Sequence, residues 1–135
     1  MRFDILLGIL ALAFMPMPVS AKTPCDGVDR HLLNGEKQKL MPPVARQIRA
    51  PHPTILQEFK FEDWSIVYAD TGVSDETFIF YHGDPTRTHY VTIWSGAAGL
   101  DEESQIREWT VENAPGIPLR LAKCFAWHVT KDRDL

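Results

Sequence analysis

The chain has 135 residues, 44% of them hydrophobic and 24% charged, with a formal net charge of −4. That length supports one ordinary domain and not comfortably two. A mildly acidic balance with no Lys/Arg cluster lacks the electrostatic footprint of a protein that binds nucleic acid or an anionic membrane.

Residues 1–21 read as a signal peptide. Arg2 supplies a basic start, Ile5 to Met15 an apolar stretch, and Val19 and Ala21 the third and first positions before a cleavage site. The apolar stretch falls well short of the roughly 20 residues that cross a bilayer, so no membrane span is expected in the mature chain. Residues 22–135 are then expected to form a single α+β domain that is periplasmic or secreted. In that compartment Cys25 and Cys124 read as a disulfide bond. Its closure predicts that the segment before the first helix lies against the last strand.

From Leu32 the pattern turns helical. Leu33, Leu40, Val44 and Ile48 share a face, with Asn34 as N-cap and Glu36 in the first turn. Pro42 and Pro43 remove hydrogen bonds and crowd the preceding turn, which predicts a kink or two short helices. Residues 50–54, AlaProHisProThr, end the element.

Four strand signals follow at 55–61, 64–70, 76–82 and 89–95, each rich in aromatic and β-branched residues and separated by turn chemistry. Tight turns set Phe59 opposite Ile66, Ile66 opposite Phe80 and Phe80 opposite Val91. Strand alternation then gathers Ile55, Phe59, Phe61, Trp64, Ile66, Tyr68, Phe78, Phe80, Val91 and Ile93 on one apolar face. The other face takes Glu58, Lys60 and Ser65 from the early strands, and Ile79, Tyr81, Tyr90, Thr92 and Trp94 from the late ones.

Residues 95–99, SerGlyAlaAlaGly, form a loop of small residues before a second helix with Asp101 as its N-cap and Ile106 and Trp109 facing inward. The last segment, LysCysPheAlaTrpHisVal at 123–129, alternates and predicts a fifth strand, laid beside the fourth by a right-handed crossover. The expected fold is a two-layer α+β sandwich: a four-stranded antiparallel meander, a C-terminal fifth strand, and two helices on one face. In architecture alone this resembles small secreted inhibitors such as cystatin-like and β-lactamase-inhibitor-like domains. The resemblance implies a protein that blocks another.

The face opposite those helices carries the expected contact surface: Tyr81, Tyr90, Thr92 and Trp94, with Ser95 and Gly96 beside them. Tyr and Trp expose rigid area with a polar handle, and small loop residues let a partner approach closely. The function expected is non-catalytic binding, without a cofactor, of another envelope or secreted protein, as an inhibitor or immunity-type protein. Two alternatives compete. His82, Asp84 and His89 are residue types that hold zinc or copper, and with Ser95 they could build a small metal-dependent or serine hydrolase. The chain could equally be an envelope structural or assembly protein whose sheet edge pairs with a partner. The sequence contains no phosphate-cradling glycine loop, dinucleotide fingerprint or hydrolase elbow.

Overall fold

A computed structural model describes residues 15–17 and 22–133. The signal-peptide reading of residues 1–21 lies almost wholly outside them. Among the described residues no helix is long and apolar enough to cross a membrane.

Helix α1 runs unbroken from Asn34 to Ile48 with both prolines inside it, so the predicted division into two short helices does not occur. Pro43 is buried beside Leu40 and Val44. Packing of that apolar stripe on the sheet offsets the hydrogen bonds the prolines remove, since tertiary contact supplies most of a protein helix's stability. Leu33, not Asn34, is the N-cap, and the Glu36 carboxylate accepts its backbone N–H at 3.0 Å. Arg49 ends the helix in the left-handed region at φ 55°, and the Ala50 N–H closes on the Ala45 carbonyl at 3.1 Å.

Strands β1 (Thr54–Phe61), β2 (Trp64–Asp70), β3 (Thr77–His82) and β4 (Thr92–Ser95) form an antiparallel meander in the order β1-β2-β3-β4. The pairs Phe59–Ile66 and Ile66–Phe80 stand as the turn lengths predict. Two register expectations do not hold. Phe80 faces Thr92, not Val91, and that slip of one residue turns every side chain of β4 over. Trp94 therefore pairs with Phe78 and packs on Phe125, 5.6 Å between ring centroids, while Ile93 joins the other face. A bulge between Ile55 and Gln57 likewise moves Ile55 away from Phe59, to the face that carries Leu40 and Val44.

Helix α2 (Glu103–Asn113) begins two residues after the predicted cap, with Glu102 in the cap position and its carboxylate accepting the Gly99 N–H. Residues 119–127 then form helix α3 (Leu119–Trp127), and His128–Asp132 continue as a π-helix. The described residues contain no fifth strand. Leu121, Phe125 and Val129 recur every four residues and are all buried, the spacing of a helix face. The Cys25–Cys124 bond is present, with Cα atoms 4.4 Å apart. It ties the amino-terminal segment to α3 instead of to a strand.

Helices cover both faces of the sheet, which corrects the expectation of two helices on one face. One core joins Phe59, Ile66, Tyr68, Phe78 and Phe80 to Ile106 of α2 and to Leu121, Phe125 and Val129 at the carboxyl end. The other joins Val67, Ala69, Ile79 and Tyr81 to Leu40 and Val44 of α1. The cause is legible in the strands themselves. β2 is buried along six of its seven residues and β3 along five of its six. Near-continuous apolar runs are what a sheet covered on both sides requires.

Candidate functional site

The residues expected to make a contact surface are not gathered on one. Tyr81 is fully buried at 0% exposure beneath α1, and its hydroxyl has no hydrogen-bond partner. Burial pushes that phenol well above the ordinary tyrosine range. Trp94 belongs to the opposite core as a half-buried member. Tyr90 is half-buried against the α1 side, its backbone N–H held by the Gln47 side chain at 3.1 Å. Thr92 and Ser95 lie on the β4 edge, and Ser95 hydrogen-bonds to the Thr77 hydroxyl. Gly96 sits at φ +111°, and its carbonyl accepts a hydrogen bond from Arg133. A side chain at Gly96 would strain the backbone, so that glycine serves the turn.

The four side chains of the alternative hydrolase site each have a different partner. His82 Nε2 meets Asp63 at 2.8 Å, and its ring stacks on Trp64 at 4.7 Å. Asp84 accepts the Thr86 N–H and hydroxyl within its own loop, and these bonds hold its pKa low. His89 Nδ1 lies 2.9 Å from the Tyr90 carbonyl. Among the described residues no three His, Cys, Asp or Glu side chains are placed to hold a metal ion.

A different feature stands out on the α1 side of the sheet. Glu58 of β1 is 5% exposed, yet it lines an open groove of about 520 Å³. The floor is Glu58, Lys60 and Ser65, neighbours by the β1–β2 register. Glu36, Lys39 and Leu40 of α1 form one wall, and the 83–86 loop with Asp84, Pro85 and Thr86 forms the other. That loop is anchored by the Gly83 N–H, which donates to the Asp63 carbonyl at 2.7 Å.

The charges of the floor are unevenly matched. Lys60 Nζ reaches Glu36 at 3.3 Å and Asp29 at 3.6 Å. Burial works against the Lys60 ammonium, but its carboxylate neighbours outweigh burial and hold its pKa above the usual range. Glu58 has the reverse balance. Burial raises its pKa, and the opposing help of Lys60 and the Ser65 hydroxyl does not cancel that effect. A carboxylate offers about four acceptor sites, so one hydroxyl leaves most of them unfilled.

A buried acid with a raised pKa, set in the floor of an open groove, makes this the candidate site on physical grounds, because structural packing alone would favour an apolar residue there. In the sequence its signal is one acid between Gln57 and Phe59 in an otherwise ordinary strand, placed with Lys60 and Ser65 on the polar part of a face read as half-solvated. Comparison of the chain with protein-family models, with curated proteins and with solved structures finds no match.

Proposed function

We propose that the protein is an exported binding module, periplasmic or secreted, that holds another protein at the groove over Glu58. The observation that carries this reading is the Glu58 carboxylate itself, buried yet facing an open groove between α1 and the 83–86 loop. Ionised, it disfavours the folded state of the free protein, and a bound partner would relieve that cost. The disulfide fits an oxidising compartment outside the cytoplasm. An inhibitor or immunity-type role agrees with this arrangement, in which a small stapled domain offers a groove to a partner protein.

A second reading is favoured by the two sheet edges. The outer edge of β1 is taken by Asp29, which exchanges backbone hydrogen bonds with Lys60 at 2.9 and 2.8 Å. No strand among the described residues pairs with the outer edge of β4, where Thr92 and Ser95 lie. An assembly partner could add a strand there.

One experiment separates the two. A photo-reactive side chain is placed at Thr86 on the groove wall or at Val91 beside β4, both exposed, and irradiated in envelope extract. Crosslinking of one discrete protein from Thr86 is expected. Crosslinking from Val91 alone would discard the groove and leave strand addition.

A further inference from the structure

The groove's lining comprises five carboxylates, Glu36, Glu58, Glu62, Asp63 and Asp84, and two ammonium groups, Lys39 and Lys60. Its formal charge is therefore −3. Lys60 is paired with Glu36 and Asp29, so Glu58, the buried carboxylate of the set, has no ion pair of its own, and the help of Lys60 and the Ser65 hydroxyl does not offset its burial. Leu40 and Pro85 add apolar surface on opposite walls. A site with a carboxylate at its base, apolar sides and an acidic rim complements a long side chain with an apolar stem and a cationic head.

We infer that the group this groove receives is a basic side chain of the partner protein, arginine in preference to lysine, seated on Glu58. The inference rests on reading the groove as the recognition site. Arginine is preferred because its guanidinium is more weakly hydrated than an ammonium and loses less on entering a buried site. Its five fixed donors can also fill the open acceptor sites of Glu58 and still reach the rim. The match is electrostatic and directional, so a neutral group of the same shape should not be held.

The test uses the disulfide-bonded protein and three small probes: Nα-acetyl-arginine methylamide, the lysine equivalent, and the citrulline equivalent, which has arginine's shape without its charge. Binding is followed by amide shifts in two-dimensional NMR and by titration of the Glu58 side-chain carboxyl resonance. The arginine probe should shift the amides of Glu58, Ser65 and Gly83 saturably in the millimolar range, the lysine probe should do so only at higher concentration, and the citrulline probe should not. A lysine probe that binds as tightly as arginine would overturn the preference. Saturation should lower the Glu58 pKa, because a neighbouring cation favours the carboxylate. Glu58→Gln, which keeps the side-chain volume, should weaken the arginine probe at least fivefold. If the citrulline probe binds as well, if Glu58→Gln binds arginine undiminished, or if the Glu58 titration does not move, the inference falls. Should Thr86 still crosslink a partner in that event, the groove remains the recognition site with a different occupant. Crosslinking from Val91 alone would remove both.

Discussion

Arg133 and Glu76 form an ion pair of 3.1 Å across 57 residues of sequence, and it fastens the carboxyl end of the described chain to the sheet. The Arg133 side chain is only 7% exposed. Its guanidinium lies 5.6 Å from the Tyr68 ring centre and 5.5 Å from that of Phe78, and it also donates to the Gly96 carbonyl. Glu76 accepts in addition from the Tyr68 hydroxyl, and these two partners hold its pKa low.

Arg133→Met should therefore destabilise the protein by about 1.5–3 kcal/mol, the range for hydrogen bonds to charged groups. Arg133→Lys should recover little, because an ammonium neither stacks on the rings nor bridges two acceptors in one plane. A double-mutant cycle with Glu76→Ala in urea denaturation should return a coupling of about 0.5–3 kcal/mol. Strict additivity would mean that the pair contributes no direct interaction.

Tyr81 offers a test of what covers the sheet. Tyr81→Ala should cost about 3–5 kcal/mol, much as Phe80→Ala does, because both residues are at 0% exposure although they face opposite ways. Tyr81→Phe should be neutral or stabilising, since it removes a buried hydroxyl that has no partner. A large loss on Tyr81→Phe in chemical denaturation would show that the hydroxyl is satisfied in solution.

Two buried titratable groups give opposite pH dependences. The His128 side chain is 8% exposed; burial depresses its pKa despite Asp132 at 3.3 Å. The fold thus favours neutral His128, whose contribution is present above the unfolded value near 6.5 and is lost as pH falls from there toward the depressed folded value. Glu58 has a raised folded pKa. Its contribution is present below the unfolded value near 4.5 and is lost as pH rises through the folded one. In urea midpoints measured from pH 4 to 8, His128→Gln should flatten the acid limb. Glu58→Gln should raise stability at pH 7, as expected where a residue serves binding at the expense of the fold. A Glu58→Gln variant less stable than the parent at pH 7 would contradict that assignment.

The disulfide spans a sequence separation of 99 residues. A loop of that length corresponds to about 4–5 kcal/mol in the chain-entropy estimate. Cys25→Ser with Cys124→Ser should lower the unfolding midpoint by a corresponding amount. Alkylation of the native protein without reductant should label no thiol. A labelled cysteine would refute the pairing.

The turns between the first three strands, the pairs Phe59–Ile66 and Ile66–Phe80, and the cysteine pairing were legible in the sequence. Short turns bounded by Gly, Asp and Thr leave few registers, and two cysteines in one domain leave one partner. The register of β4 was not legible, because it depends on how the 83–91 loop is anchored, with Val91 bonded to Phe80 and Tyr90 to Gln47 of a distant helix. Residues 123–129 satisfy alternation and helical spacing alike, and so short an apolar run does not distinguish the two by pattern. Packing against α2 and the sheet, with Cys124 held to Cys25, decides for the helix. Glu58 shows the same limit at the candidate site. Its type and place in the strand are local facts, but its burial, its raised pKa and its place in a groove arise only when α1 and the 83–86 loop close around it. Charge and hydration depend on everything within several ångströms of a group, and that neighbourhood is assembled from residues far apart in the chain.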